Sequence, residues 1–333
     1  MAIRMTQHTR IVITRRLPAA TIARMHALFP AIDYHDSDTP LTADALRARI
    51  AGCRILVSTL GDVVNAATID ALAPTCGLIA NFGAGVDHID VAYAKAQKIR
   101  VSNTPSVLTE DTADVTMALL LAVPRRLGEA AQAIRQNTWQ GWNPNYMLGH
   151  RVAGKTLGIV GLGRIGQAVA RRARGFGLHV QYYQRQRLHA SVESELGVTY
   201  MPSLDAMLPL VDFLTLHCPH TSETHHLMNT ARLALMKPTA YLINTARGAL
   251  VHESALIEAL QTGRIAGAGL DVFEHAPVVP DALKALPNVV LLPHISSATL
   301  ESRHEMGERV IINIQSFLDG HQPPDRVLLE EVS

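Results

Sequence analysis

Little in the sequence would tie together a small or secreted protein. Its 333 residues include only three cysteines, Cys53, Cys76 and Cys218, scattered and odd in number, with no CxxC pair. That pattern excludes a disulfide framework and fits a reducing compartment. No apolar run approaches the roughly 18 residues of a membrane span. The longest, residues 117–123, is far shorter. Residues 1–10 are polar and basic, and no apolar run of signal-peptide type follows them, so a cytoplasmic protein without a membrane partner is expected. The tail before Ile11 is expected to be loose. An excess of one charge is missing too. Thirty Lys plus Arg face 29 Asp plus Glu, a net charge of +1. No nucleic-acid partner held by a broad basic face is therefore expected. Low-complexity segments and short repeats are absent. So are HExxH, paired CxxC and GxSxG, which removes the usual signatures of zinc hydrolases and serine or cysteine nucleophiles.

Apolar substance is plentiful. Hydrophobic residues make up 48% and charged residues 18%, enough for sizeable cores over a length that suggests two domains. Short strand-like runs alternate with helical patterns, which indicates an α/β protein with parallel sheets. Strands are expected at 11–14, 55–58, 78–81 and 100–102, with helices at 18–29 and 42–50, Thr42 capping the second. A helix over 109–121 is nearly all apolar from residue 113 to 122 and should be buried on most sides, with Pro124 ending or kinking it. The stretch 139–144 holds both tryptophans, Trp139 and Trp142, and reads as an irregular loop that serves local packing, a substrate lid or a partner surface. Further strands are expected at 157–160, 178–183, 213–217, 240–244, 268–272 and 289–292. A final helix, 299–318, carries Met306, Val310, Ile314 and Phe317 at close to helical spacing.

The strongest motif is Gly161-Leu162-Gly163-Arg164-Ile165-Gly166. A lone GxGxxG is weak, but this one leaves a strand and opens a helix, as a dinucleotide fingerprint requires. Gly161 permits the tight turn, Gly163 the approach of a pyrophosphate, and Gly166 close packing of helix on strand. The helix N-terminus then favours the negative charge. The next strand runs into Tyr183-Gln184-Arg185-Gln186-Arg187, with nothing acidic before Glu193. An acid there would bind the ribose of NAD and repel a 2′-phosphate, whereas arginine suits that phosphate. Arg185 and Arg187 therefore point to NADP(H), with NAD(H) still possible. The alternative is that both are solvated loop charges.

With these motifs in place the chain resembles the D-2-hydroxyacid dehydrogenases, and most of all the glyoxylate/hydroxypyruvate reductase branch. The likeness runs through Asn81-Phe82-Gly83-Ala84-Gly85-Val86-Asp87, Thr109-Glu110-Asp111-Thr112-Ala113-Asp114, the glycine motif, Asn244-Thr245-Ala246-Arg247-Gly248, Gly269-Leu270-Asp271-Val272-Phe273-Glu274 and Pro293-His294-Ile295. It implies hydride transfer from a nicotinamide to a 2-oxo acid. Arg247 then matches the residue that holds the substrate carboxylate, and His294 the proton donor. Leu60, Gly83, Ala84 and Gly85 match substrate contacts. Cys218, Pro219, Thr224, Thr245, Ala246 and Asp271 match cofactor contacts. Ser296 stands where the family commonly has glycine. Where the family places a second Glu to pair with the histidine, this chain has Ala276, which predicts an imidazole less often protonated and slower reduction that peaks at lower pH.

The resemblance further implies two Rossmann-like or flavodoxin-like domains with a cleft between them. Residues 1–103 plus 299–333 would form the substrate domain, and 104–298 the NADP-binding domain. A homodimer is expected. His217, Cys218, His220, His225 and His226 cluster locally, but on a strand end and loop beside the cofactor, and no metal ligand is assigned. A phosphoglycerate dehydrogenase is disfavoured by the lack of a basic phosphate cluster and of a regulatory extension. The competing class is a dinucleotide-binding sensor or corepressor-like protein with weak or no turnover. Ala276 favours it; Arg247 and His294 oppose it.

Overall fold

The structure is a computed structural model that describes residues 9–328. The tail expected to be loose lies almost wholly outside that range. The chain forms two compact units: one up to Leu108 together with Ala298 onward, the other Thr109–Ser297.

The first unit holds a five-stranded sheet of β1 (Ile11–Ile13), β2 (Ile32–Tyr34), β3 (Ile55–Thr59), β4 (Leu78–Phe82) and β5 (Arg100–Ser102). Its order is β2-β1-β3-β4-β5, and every pairing is parallel. The strands β1, β3 and β4 are buried almost throughout, which fits near-continuous apolar runs covered on both faces. One face packs on the helix Leu300–Leu318 through Met306, Val310, Ile311, Ile314 and Phe317, set among Ile13, Val57 and Phe82. Helices Ala43–Ile50, Ala66–Leu72 and Val91–Ala96 cover the other through Leu46, Ile69 and Ala94. Thr42 caps its helix, its hydroxyl accepting from the Ala45 N–H.

The second unit holds a seven-stranded sheet of β6 (Thr156–Val160), β7 (His179–Tyr183), β8 (Val198–Tyr200), β9 (Phe213–Leu216), β10 (Tyr241–Asn244), β11 (Gly267–Leu270) and β12 (Val289–Leu291). The order β12-β11-β10-β9-β6-β7-β8 reverses direction between β6 and β9. Such a switch point opens a crevice at the carboxyl ends of the strands. Helix Thr109–Ala122 lies against helix Arg164–Gly175, β10 and β11. It buries Ala113, Met117, Leu119 and Leu120 in one core with Ile159 and Ile243. Beyond Pro124 the chain starts a new helix, Leu127–Arg135, which the sequence did not suggest. Arg126 opens it in a left-handed conformation and grips Glu129 with both arms of its guanidinium. Strands β2 and β8 were not foreseen either. Each is three residues long and lies at a sheet edge.

Candidate active site

The parallel strands of the second sheet are in register, so Tyr183, Val160, Leu216, Asn244, Leu270 and Leu291 share one row. The segments that leave this row carry most of the residues singled out in the sequence. The glycine loop follows β6, Arg185 and Arg187 follow β7, and Cys218 and Pro219 follow β9. Thr245, Ala246 and Arg247 follow β10, Asp271 follows β11, and His294 and Ser296 follow β12. Arg247 and His294 leave strands two spacings apart, about 10 Å in sheet geometry.

The glycine loop fits a pyrophosphate. Gly161 has φ +90°, and a Cβ on it would lie 2.8 Å from the Cys218 nitrogen, while one on Gly166 would lie 2.3 Å from the Gly161 carbonyl oxygen. Neither position admits a side chain. A Cβ on Gly163 would meet nothing within 4 Å. The helix Arg164–Gly175 begins there without a side-chain cap, so its first N–H groups are left for an anion.

Beyond β7, Gln184 accepts a hydrogen bond from the Leu162 N–H at 2.9 Å and ties the strand end to the glycine loop. Arg187 is bound by both arms to Glu193, at 2.9 and 2.7 Å, and the Tyr182 hydroxyl donates to the same carboxylate at 2.6 Å. Arg187 and then Tyr182 hold the Glu193 carboxyl down to about 2. Burial, followed by that carboxylate, pushes the Tyr182 phenol up to about 12. Arg185 meets Glu223 at 3.3 Å between two exposed side chains, a contact of small worth.

Two buried polar side chains shape the edge from which Arg247 and His294 emerge. Asn244 donates to the Arg247 carbonyl at 2.8 Å and accepts from the Ala246 N–H at 3.0 Å, folding the turn that presents Arg247. The Thr245 hydroxyl lies 2.8 Å from that of Thr116. Asp271, fully buried, accepts from the Ile295 and Ser296 N–H groups at 2.8 Å each, and its carbonyl accepts from the His294 N–H at 2.9 Å. His294 sits at φ +56°. A left-handed conformation at a non-glycine residue carries strain, and such strain concentrates at functional sites. Both Asp271 carboxylate oxygens are thus engaged in holding the turn that carries His294.

Glu274 is committed elsewhere. Its carboxylate lies 2.5 Å from His226 Nε2 and accepts from the Glu253 N–H at 3.1 Å. The Thr224 hydroxyl closes the turn after β9, donating to the Pro219 carbonyl at 2.8 Å and accepting from the Thr221 N–H at 2.7 Å. Burial drives His217 down to about 3 and the Cys218 thiol up to about 11, so both stay neutral near pH 7.

Leu60, Gly83, Ala84 and Gly85 belong to the first unit, at the ends of β3 and β4. Buried Asn81 organises them: its amide donates to the carbonyls of Gly83 at 3.0 Å and Gly85 at 2.9 Å. The Leu60 side chain packs over Gly83. Sequence reasoning named Asn81, Asn244, Gln184 and Glu193 but gave them no role in the site. For the two asparagines a signal was present, a polar residue at the end of an otherwise apolar strand.

A profile of the family described as D-isomer specific 2-hydroxyacid dehydrogenase, NAD binding domain, matches residues 117–296. A glyoxylate reductase of Korarchaeum cryptofilum is 45% identical over 325 residues, which is 97% of each chain. One from Thermococcus onnurineus is 44% identical over 322 residues, 96% of this chain and 95% of that one. Among solved structures, an NADPH-dependent glyoxylate/hydroxypyruvate reductase of Sinorhizobium meliloti, with NADP and malonate bound, superposes with a TM-score of 0.83 at 37% identity and 98% coverage of both chains. This chain therefore belongs to the D-isomer-specific 2-hydroxyacid dehydrogenases, in the glyoxylate reductase branch, and is an NAD(P)-dependent oxidoreductase.

Proposed function

We propose that the chain reduces a small 2-oxo acid, glyoxylate or hydroxypyruvate, to the 2-hydroxy acid with NADPH. The observation that carries this reading is the shared edge of the second sheet, where the uncapped glycine-loop helix, the Asn244-held Arg247 turn and the Asp271-held His294 turn all emerge. A reduced nicotinamide bound there supplies the hydride to the carbonyl carbon.

The chain's own residues do the rest. The Arg247 guanidinium grips the substrate carboxylate and polarises the neighbouring carbonyl. His294 gives its proton to the carbonyl oxygen as the hydride arrives. Gly83, Ala84 and Gly85 offer backbone N–H groups to the carboxylate, and Leu60 contacts the substrate. Gly161, Gly163, Arg164, Ile165 and Gly166 hold the pyrophosphate. Arg185 meets the 2′-phosphate, while the Arg187 fork is already filled by Glu193. Cys218, Pro219, Thr224, Thr245, Ala246 and Ser296 line the cofactor's path, and Asp271 acts by positioning His294. Position 276 carries Ala276 where the family has a carboxylate, and Glu274 is bound to His226.

A homodimer completes the reading. Leu127, Ile134, Trp139, Trp142, Tyr146 and Leu148 form a run of exposed apolar residues from one helix and the loop after it. Exposed apolar surface of this kind marks an interaction site.

The test is direct. Purified protein is mixed with NADPH, then in turn with glyoxylate and hydroxypyruvate, and the reduced-nicotinamide absorbance is followed. Loss of absorbance that depends on the 2-oxo acid, and is faster than with NADH, supports the proposal. Tight NADPH binding with no loss for either acid would favour the sensor class.

A further inference from the structure

The histidines that follow β9 acquire a meaning in three dimensions that their spacing does not show. Neighbouring side chains on an extended chain point to opposite faces. His226, however, adopts a left-handed φ of +50°, and its ring stacks on that of His225 with centroids 3.8 Å apart and planes 26° apart. A strained residue of this kind persists where the surroundings hold it. The hold here is visible. The His226 N–H donates to the Ala249 carbonyl at 2.8 Å, and the His252 ring abuts the His226 ring at 4.5 Å. A carboxylate from a distant segment completes the group, with Glu274 Oε1 lying 2.5 Å from His226 Nε2.

The geometry points to a binding site for one divalent ion of the zinc class, held by His225, His226 and Glu274. Their ligand atoms lie within 4.8 Å of one another. A tetrahedral ion with ligands at about 2.0–2.2 Å needs them roughly 3.5 Å apart. Small side-chain rotations close the gap, and exposed His225 has room to make them. Two imidazoles and one carboxylate form a donor set for zinc and its late first-row neighbours. Magnesium and calcium want oxygen ligands throughout.

The surroundings suit ligation. His225 Nδ1 lies 3.2 Å from His220 Nε2, an outer contact that orients the ring and leaves Nε2 for the metal. The Glu253 N–H donates to Glu274 Oε2 at 3.1 Å, which fixes the carboxyl group beside His226. On binding, the proton between His226 and Glu274 leaves for solvent and the ion takes its place. The ion would then join the segment after β9 to the segment after β11. These flank the turn that begins at Arg247, since a Cβ on Gly248 would fall 1.9 Å from the Phe273 carbonyl carbon. The proposal is independent of the reductase reading and concerns a different set of side chains.

Tag-free protein titrated calorimetrically with Zn²⁺ tests it, with Co²⁺ as a spectroscopic probe of the same site. One ion per chain with micromolar affinity is expected, together with visible Co²⁺ absorbance of a four- or five-coordinate centre that Zn²⁺ abolishes and Mg²⁺ does not. His225→Ala, a change at an exposed side chain, should weaken binding at least about tenfold. His226→Gln keeps a donor for Glu274 and should do the same. Zn²⁺ should raise the thermal midpoint of the parent protein and leave that of His225→Ala unmoved. Absence of micromolar binding would overturn the site. So would several ions per chain, or an affinity unchanged in both variants.

Discussion

At the scale of single residues, the proposal divides chemistry and support among different side chains. Arg247 and His294, proposed to carry the chemistry, were singled out in the sequence because their motifs resemble a family's. Asn244, Asn81 and Asp271 stood in the same motifs, Asp271 as an expected cofactor contact, but their part in holding the turns came only from the fold. A hydrogen bond from Asn244 to a carbonyl three residues on cannot be told from a solvated asparagine until the turn exists. The two arginines after β7 show the same limit. Their spacing suggested one shared job, yet Arg187 is locked to Glu193, six positions on, and Arg185 is not. Cofactor choice should therefore divide between them. Arg185→Ala should lower the ratio of NADPH to NADH efficiency about tenfold or more, in line with loss of a charge-assisted contact. Arg187→Ala should lower that ratio less and lower the thermal midpoint more. Equal losses of selectivity would refute the division. Position 276 gives a second prediction. Ala276→Glu places a carboxylate where the family has one, and an acid beside an imidazole favours its protonated form. The alkaline limb of kcat/KM for reduction should move up by about one pH unit. A limb that stays put would show that Ala276 does not govern the proton donor.

At the scale of elements, the buried strands were the most legible because they are apolar runs of the right length. Strands β3, β4, β6, β7 and β10 lie within a residue or so of their expected bounds. The short edge strands β2 and β8 carry no such signal, because pairing to a neighbour defines them more than their own composition does. The helix after Pro124 was missed for a related reason: proline stops one helix without forbidding the next. Two element-scale features are open to measurement. Gly248 lets the turn after β10 touch the backbone at Phe273 and Glu274. Gly248→Ala should cost about 1–3 kcal/mol in urea unfolding, the usual cost of overpacking. An unchanged midpoint would mean that the two segments part freely. The knot of Tyr182, Arg187 and Glu193 ties β7 to the helix Ala190–Leu196. Glu193 titrates near 2 in the folded chain against an ordinary 4.5. Its folded value is depressed, so its contribution to stability is complete above pH 4.5 and is lost as pH falls toward 2. Glu193→Gln should flatten that part of the stability profile; an identical acid dependence would show that the knot adds nothing.

At the scale of the whole molecule, the chain builds two parallel sheets, each with its own core, and the first unit draws on both ends of the chain. The alternation of strands and helices showed both sheets in the sequence. Which strand neighbours which, and hence where the crevice of the second sheet opens, came from the fold. No helix among the described residues is long and apolar enough to cross a membrane. The homodimer proposed above would cover the exposed apolar run from Leu127 to Leu148. Trp142 is 83% exposed. Sedimentation of the double variant Trp139→Ser, Trp142→Ser should show monomer where the parent shows dimer; a parent that sediments as a monomer would remove the interface. The reductase reading is tested most directly by the rate of NADPH oxidation with hydroxypyruvate, measured for the parent, His294→Asn and Arg247→Leu. The parent should turn over. His294→Asn should lose about 10²–10⁴-fold in kcat, and Arg247→Leu should lose about 10²–10³-fold with a raised KM. Parent-like rates in either variant, or no oxidation by the parent, would contradict it.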